Sequence, residues 1–332
     1  KACLPGTRVQ ILGRIMDWIF DPEGPRGFIL HGTAGKGKSA VAHTVARSLT
    51  DMGVAACFFA FERANLDRRA NQLLPTLARQ LAYLDPQYFL KLRSLRPTQL
   101  ETTDIHDQFE YLILSSFRDY APLVPIVFVI DALDECPNIG VDEIENRKTL
   151  LDSLQTCMSN AELHYNVRIL ITTRPERDTY YPLLEESTSF IWQSIDGAAD
   201  TADDISKFVE SKLISPTVRK TVGDLTNAVD IIASAAQDSF ECAAVLCREL
   251  TGPQRPKTEA KRAELIRRVQ AQPGLPLYAS YSTILEEHLD TDDHDLVALY
   301  RQTVGWVFAV REPQPRSVFE EIANTLPSRK DI

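Results

Sequence analysis

The segment that most constrains the fold of this chain is the sequence GTAGKGKS, residues 32–39. It matches the phosphate-loop pattern G-x-x-x-x-G-K-[ST] at every fixed position. That pattern requires a buried strand before the loop and a helix after it. The apolar run 27–30 predicts the strand, and apolar residues at helical spacing predict a helix over 38–49. This context argues against a chance match in a glycine-rich turn, so the sequence predicts a phosphate-binding loop.

The residue types in this loop suit phosphate binding. Glycines allow the backbone to turn with its N–H groups pointing inward, and the helix that follows adds the positive end of its dipole. Lys38 is predicted to reach the β- and γ-phosphates, and Ser39 to place its hydroxyl on Mg²⁺. We expect the nucleotide to be bound by Gly32, Thr33, Ala34, Gly35, Lys36, Gly37, Lys38, Ser39 and Ala40.

A second signal is a buried strand, residues 126–130, that runs into the acidic sequence DALDE. A carboxylate at a strand end beside a phosphate loop holds Mg²⁺ directly or through water, and this role is predicted for Asp131. Glu135 is predicted to orient or deprotonate the attacking water, with Asp134 as the alternative base. Taken alone, the same residues fit a strand cap followed by a solvated turn, so this prediction depends on the phosphate loop.

A third signal is the strand predicted over 167–172, which ends in hydroxyls and a guanidinium before Pro175. Strand ends of a parallel sheet line the crevice in which a ligand binds. Arg174 is predicted to bind a γ-phosphate, because a guanidinium binds two phosphate oxygens at once. Thr172 or Thr173 is predicted to hydrogen-bond the same phosphate or the attacking water. The alternative interpretation is a surface arginine that merely follows a strand.

Strands alternate with helices in the first part of the chain. Further strands are predicted over 54–61 and 190–195, and helices over 8–20, 73–84 and 109–117. Such alternation predicts a parallel sheet with helices on both faces. We therefore predict an α/β fold of the P-loop NTPase type.

After residue 198 the signals are only helical. Helical stretches are predicted over 204–213, 225–250, 277–289 and 296–308. Two prolines and a glycine within 252–257 predict a break between helices. The sheet is thus expected to be followed by a separate helical region.

Composition limits the class of protein. The chain has 332 residues, 44% of them hydrophobic, which suggests two or three domains and excludes overall disorder. Its net charge of -10 disfavours a nucleic-acid partner, and no apolar run approaches the ~18 residues of a membrane span. Six cysteines without a Cys-x-x-Cys pair disfavour a zinc site and fit reduced thiols in the cytoplasm. Because the first residue is Lys1, not methionine, we expect the chain to be part of a longer protein.

The three motifs GTAGKGKS, VFVIDALDE and ILITTRP, in that order, resemble those of a NACHT domain, a branch of the STAND P-loop NTPases. The phrase DALDE, residues 131–135, is similar to one that is particular to NACHT domains. Residues 3–8, 58–61 and 74–81 are similar to segments of fungal NLR-like members. The resemblance is specific over residues 1–198 and weaker up to about residue 310.

The resemblance implies a molecular switch that binds and slowly hydrolyses ATP or GTP with Mg²⁺. It implies a sheet with an extra strand between the phosphate-loop strand and the acidic strand. Residues 1–198 would form the nucleotide-binding domain, with residues 5–8 near the base, and 199–272 a small helical domain that closes over the nucleotide. Residues 273–332 would open a winged-helix domain that is incomplete here.

The resemblance also implies what the switch controls. In such proteins the triphosphate state assembles with other copies of the chain or with signalling proteins. We therefore expect a homo-oligomer on activation, signalling partners, and a role in fungal self or non-self recognition.

Several alternatives remain open at this point. The guanine-reading phrase Asn-Lys-x-Asp is absent, which favours ATP over GTP only modestly. The fungal phrase Gly-Leu-Phe-Ile-Trp corresponds to residues 238–242, which keep only its aromatic residue. This departure leaves open whether the helical domain closes over the nucleotide. A small-molecule kinase with an arginine-rich lid (Arg63, Arg68, Arg69) and a nucleotide-binding scaffold with negligible turnover are the competing functions.

Overall fold

The structure is a computed structural model. It describes residues 2–63, 65–118, 120, 122–137, 141–159, 164, 166–175, 190–221, 225–253, 255–271 and 294–309. The predicted helix over 277–289 lies outside these residues, as does most of the predicted winged-helix segment 273–332. Within the described part, no helix is both long enough and apolar enough to cross a membrane.

Five parallel strands form one sheet in the order β2-β3-β4-β1-β5. The strands are β1 Gly27–His31, β2 Ala55–Ala60, β3 Ile126–Asp131, β4 Val167–Thr173 and β5 Phe190–Ser194. Each of the five strands predicted from the sequence is present, with ends that differ by at most one residue. Strand β4 lies between the phosphate-loop strand β1 and the acidic strand β3, which confirms the expected extra strand.

Helices cover the sheet, and after β5 the described elements are all helices. They are α1 Val9–Phe20, α2 Lys38–Asp51, α3 Ala70–Leu84, α4 Pro86–Arg93, α5 Pro97–Leu100, α6 Ile105–Gln108, α7 Ser115–Phe117, α8 Val141–Ser159, α9 Thr201–Leu213, α10 Pro216–Thr221, α11 Val229–Ala235, α12 Phe240–Thr251, α13 Glu259–Ala271 and α14 His294–Ala309. A π-helical turn, Phe109–Leu114, joins α6 to α7. Sequence periodicity missed α8 and α13, because charged residues interrupt their apolar faces.

The predicted helical stretch 225–250 is divided into α11 and α12. Gln237 and Asp238, between the two helices, have φ angles of 46° and 64°, which a continuous helix cannot contain. Ser239 then begins α12 as its N-cap, and its side-chain oxygen accepts a hydrogen bond from the backbone N–H of Cys242. This break places the first turn of α12 beside the phosphate loop.

The sheet separates two apolar cores, as alternating side chains of a buried strand require. Val127 and Val129 of β3 belong to the core beneath α1 and α2. Phe128 and Ile130 belong to the core on the other face, beneath α3 and α8. Helices α9 and α11–α13 share a third apolar core of their own. The predicted α/β layers with helices on both faces are therefore present, followed by a separate helical core.

Candidate functional site

The phosphate loop connects β1 to α2. Gly35 and Gly37 have φ angles of 76° and 91°, a left-handed conformation that glycine adopts without steric cost. Gly37 is the N-cap of α2, and no side chain caps this helix end. The first amides of an α-helix have no partner within the helix, so the start of α2 is suited to binding an anion.

Lys38 is folded over the loop. Its ammonium group donates hydrogen bonds to the carbonyl oxygens of Gly32, at 2.6 Å, and Thr33, at 2.8 Å. Burial lowers the pKa of Lys38, and the nearby carboxylate of Asp134 opposes that shift. The loop therefore holds a cation close to its own first residues.

The end of β3 fixes a carboxylate behind the loop. Asp131 is buried, and its carboxylate accepts a hydrogen bond of 2.5 Å from the hydroxyl of Thr172 on β4. The same hydroxyl accepts a hydrogen bond from the backbone N–H of Ala132. Thr173, also buried, donates its hydroxyl to the carbonyl oxygen of Arg174 instead. Of the two predicted hydroxyls, Thr172 is thus the one that lies at the acidic strand end.

Arg174 is bound by the acidic turn Leu133–Glu135. Its backbone N–H donates to Oδ1 of Asp134 at 3.0 Å, and its Nε lies 3.1 Å from Oδ2 of the same residue. A guanidinium nitrogen of Arg174 lies 3.8 Å from a carboxylate oxygen of Glu135. Asp134 is 2% exposed, so this ion pair is largely shielded from water on its acidic side.

A cavity of about 650 Å³, a volume typical of small-molecule sites, lies between the phosphate loop, the acidic turn and Arg174. Its walls combine the loop, the acidic turn, the end of β4 and the start of α12. The lining residues are Ala34, Gly35, Gly37, Lys38, Ser39, Ala132, Asp134, Glu135, Thr172, Arg174, Phe240 and Glu241. We call this space the phosphate-side cavity.

A second cavity, of about 370 Å³, lies on the other side of Gly37. It is mainly apolar, and it is formed by the N-terminal segment, α9 and the first residue of α12. The lining residues are Ala2, Cys3, Leu4, Pro5, Thr7, Arg8, Gly37, Ala40, Phe208, Ser211, Lys212 and Phe240. Gly37 and Phe240 line both cavities, so the two are neighbours across the phosphate loop.

The structure does not bring every predicted site residue into a cavity: Asp131 and Thr173 line neither of the two. Gly32 and Thr33 serve as acceptors for Lys38, as described above. Lys36 contributes its carbonyl oxygen, which accepts a hydrogen bond of 2.9 Å from Arg8. Ala40 lines the second cavity, not the phosphate-side cavity.

Arg8 is a residue that sequence reasoning did not single out. Besides its bond to the loop, its guanidinium donates to the hydroxyl of Thr201 at 2.8 Å and lies 4.9 Å from the ring centre of Phe240. The backbone N–H of Arg8 donates to the carboxylate of Asp204. Arg8 therefore joins the N-terminal segment, the phosphate loop and the helical region. The sequence placed Arg8 only within the NACHT-like segment 3–8 and, by resemblance, among residues 5–8 near the base.

Asp196 was also missed. Its carboxylate accepts hydrogen bonds from the backbone N–H of Thr33, at 3.0 Å, and from the Thr33 hydroxyl, at 2.9 Å. It closely follows β5, just as Asp131 ends β3, so the rule that strand ends line the crevice would have found it.

The start of α12 contacts the phosphate loop directly. The carbonyl oxygen of Gly35 accepts hydrogen bonds from the backbone N–H groups of Phe240, at 2.9 Å, and Glu241, at 3.4 Å. The segment that corresponds to the altered fungal phrase is thus the one that touches the loop. The resemblance implied that the helical region closes over the nucleotide, but the residue types did not indicate this particular contact, because it is made by backbone atoms.

Comparisons with known proteins found one family model and a set of solved structures that are similar to this chain. The family model described as Nephrocystin 3, N-terminal, matches residues 6–174. The FIGL-1 AAA domain in complex with ADP is similar at 16% sequence identity, over 83% of this chain and 82% of that chain, with a TM-score of 0.42. The structure described as the FIGL-1 AAA domain is similar at 14% identity over the same shares, with a TM-score of 0.39. No curated protein matches the chain significantly.

The region covered by the family model begins just before Arg8 and ends at Arg174. It contains the phosphate loop, the acidic turn and the first four strands of the sheet. Because residues 6–174 are more than half of the 332 residues, this chain belongs to the nephrocystin-3 N-terminal family.

Proposed function

We propose that this chain is a nucleotide-dependent molecular switch of the NACHT type in the STAND class, which binds and slowly hydrolyses ATP or GTP with Mg²⁺. The observation that carries the proposal is the phosphate-side cavity. In it the loop with Lys38 and Ser39 faces the acidic turn and Arg174. A chain that merely shared the motif by chance would have no reason to place these groups around one cavity.

The residues present fit a nucleotide with its metal. The start of α2 and Lys38 would bind the phosphates, and the second, apolar cavity would bind the base. Ser39 and Asp131 would hold Mg²⁺, which neutralises phosphate charge when bound. Thr172 fixes the Asp131 carboxylate for that role through its hydrogen bond of 2.5 Å.

The acidic turn supplies the base for hydrolysis. Both carboxylate oxygens of Asp134 are bound to Arg174. The Glu135 side chain is 34% exposed, and its carboxylate lies at a longer distance, 3.8 Å, from the same guanidinium. A carboxylate that accepts a proton from water needs a free oxygen in contact with that water. Glu135 is therefore the better candidate for the base, and Asp134 for positioning Arg174.

The pairing of Arg174 supports a switch. A γ-phosphate that enters the cavity competes with Asp134 for the guanidinium, whereas a diphosphate lacks that group. Ligands shift a conformational equilibrium only through different affinities for its states, and this contact supplies such a difference. The helical region, which we assign to residues 199–272, would transmit the change because α12 is bound to Gly35.

The remaining assignments follow from the NACHT resemblance. We propose residues 1–198 as the nucleotide-binding domain and 273–332 as the start of a winged-helix domain. The triphosphate state would assemble with other copies of the chain and with signalling proteins in the cytoplasm. Fungal self or non-self recognition is the setting that we propose for this assembly.

Titration of fluorescent ATP and GTP analogues into the wild type, Lys38→Ala and Lys36→Ala tests the proposal. Loss of a charged hydrogen bond costs about 1.5–3 kcal/mol, so Lys38→Ala should bind roughly ten- to a hundredfold more weakly. Lys36→Ala is the matched control. Lys36 belongs to the same loop as Lys38, but it lines neither cavity. This substitution should change the affinity by less than about threefold, since it removes no direct hydrogen bond to phosphate.

Equal affinity of the wild type and Lys38→Ala would overturn the phosphate-site assignment. Phosphate release with Mg²⁺ then separates the functions. Slow release from the nucleotide alone supports the switch. Binding without release indicates a scaffold, and release that requires an added small-molecule acceptor indicates a kinase.

A further inference from the structure

Glu241 lies in the phosphate-side cavity, although it belongs to the helical region. It occupies the first turn of α12, and its backbone N–H donates to the carbonyl oxygen of Gly35 at 3.4 Å. A Cβ atom added to Gly35 would lie 3.0 Å from the Cβ of Glu241 and 3.2 Å from its Oε2. The carboxylate of Glu241, an exposed side chain, therefore lies beside the phosphate loop.

The cations of this cavity are bound to other groups. Lys38 donates to two carbonyl oxygens of the loop, and Arg174 is paired with Asp134 and Glu135. Neither cation is paired with Glu241. The cavity thus contains a negative charge beside the loop that its own cations do not neutralise.

We propose that Glu241 makes this arrangement selective for a nucleoside diphosphate over a triphosphate. The inference rests on the proposed function, in which the cavity binds nucleotide phosphates. A third phosphate group brings further negative charge into a cavity where the Glu241 carboxylate is already present. Like charges a few ångströms apart in a partly solvated cavity repel each other strongly enough to change affinity about tenfold.

The same repulsion acts on the contact between α12 of the helical region and the phosphate loop. Glu241 and Phe240 bind α12 to the loop through Gly35. A triphosphate that repels the carboxylate therefore favours separation of α12 from the loop, whereas a diphosphate leaves the contact in place. Glu241 would thus be a specificity-determining residue that couples the number of phosphates to the position of the helical region.

Calorimetry with ADP and with a non-hydrolysable ATP analogue, both with Mg²⁺, tests the selectivity on the full chain. Glu241→Gln keeps the size of the side chain and removes its charge. It should raise the affinity for the ATP analogue about five- to twentyfold and that for ADP by less than about threefold. Glu210→Gln is the matched control, because Glu210 is an exposed acid of α9 that lines neither cavity. It should change neither affinity.

The salt dependence of the affinity distinguishes a charge effect of Glu241 from a packing effect, because packing would not respond to salt in this way. The difference between the wild type and Glu241→Gln in affinity for the ATP analogue should shrink several-fold between about 50 mM and 500 mM salt, because salt screens the repulsion. Equal shifts for both nucleotides, or no shift, would overturn the role of Glu241. Failure of the wild type to bind either nucleotide would instead overturn the proposed function, so the two failures are distinguishable.

Hydrogen exchange tests the coupling. In the wild type, the ATP analogue should lower the protection of the Phe240 and Glu241 amides more than ADP does. In Glu241→Gln the two nucleotides should give similar protection. If the ATP analogue lowers protection equally in both proteins, the repulsion does not act on α12.

Discussion

Arg174 binds Asp134 through two groups at once, its backbone N–H at 3.0 Å and its Nε at 3.1 Å. The residue predicted to sense a γ-phosphate is therefore already occupied by a carboxylate of the acidic turn. The pair fixes Arg174 at the edge of the phosphate-side cavity and removes Asp134 from direct contact with water.

Arg174→Ala should weaken binding of a non-hydrolysable ATP analogue roughly ten- to a hundredfold and of ADP by less than about threefold. The reason is that only the triphosphate has a γ-phosphate for the guanidinium. Paired calorimetry with the two nucleotides measures the difference. Arg63→Ala is a suitable control, because Arg63 contacts the backbone carbonyl of Asp134 but lines neither cavity. Equal losses for ATP analogue and ADP would mean that Arg174 supports the sheet end or the β-phosphate.

Glu135→Gln should leave nucleotide affinity within about threefold of the wild type and slow phosphate release about 10²–10⁴-fold. The substitution keeps the size of the side chain but removes the group that accepts the proton. Phosphate release at saturating nucleotide and Mg²⁺ is the measurement, with Glu143→Gln on α8 as a control outside both cavities. Turnover at the wild-type rate would exclude Glu135 as the base.

Gly35→Ala should detach α12 from the phosphate loop. Its added Cβ would lie 2.6 Å from the Ser239 hydroxyl oxygen and 3.0 Å from the Cβ of Glu241. Gly53→Ala is a matched control, because Gly53 has nearly the same φ angle, 75° against 76°, with no neighbour within 4 Å of its added Cβ. In both variants an alanine must adopt the left-handed conformation, which should lower the free energy of unfolding by about 1–2 kcal/mol.

Only Gly35→Ala should lose hydrogen-exchange protection at the backbone amides of Phe240 and Glu241. Urea unfolding measures the decrease in free energy of unfolding that both variants should show. Protection of those amides that stays at the wild-type level in Gly35→Ala would show that α12 accommodates the methyl group without moving.

Alkaline pH should destabilise the fold through its buried thiols. Burial raises the pKa of four thiols to about 12, those of Cys57, Cys136, Cys157 and Cys247. In the unfolded chain these thiols ionise near pH ~8.5, so above that pH the unfolded state binds fewer protons than the folded state. Their contribution to stability is therefore complete below about pH 8.5 and is lost progressively as the pH rises towards about 12.

Urea unfolding between pH 8 and 9.5 measures this loss below the range in which tyrosines titrate, near pH ~10. Each buried thiol should lower the free energy of unfolding by up to about 1.4 kcal/mol per pH unit. Cys57→Ala should give a shallower slope than the wild type, whatever its effect on stability at pH 7. A free energy of unfolding that does not change over this range would contradict the prediction.

The sequence by itself determined the sheet and the chemical groups at its edge. All five strands were predicted to within one residue, because a buried parallel strand is a short apolar run between turn residues. Lys38, Asp134, Glu135 and Arg174 were identified from local motifs and line one cavity. The domain boundaries at residues 198 and 272 stay predictions.

Only the tertiary structure decided how the helical region meets the loop. Arg8 bonds to Asp204 and Thr33 to Asp196, residues far apart in the chain, and α12 bonds to Gly35 through backbone amides. Residue patterns encode local conformation and burial, whereas these contacts depend on how the sheet and the helical region pack against each other. Backbone hydrogen bonds leave no signature in side-chain type, which is why the sequence identified the phosphate loop, whereas the contact of α12 with Gly35 is known only from the tertiary structure.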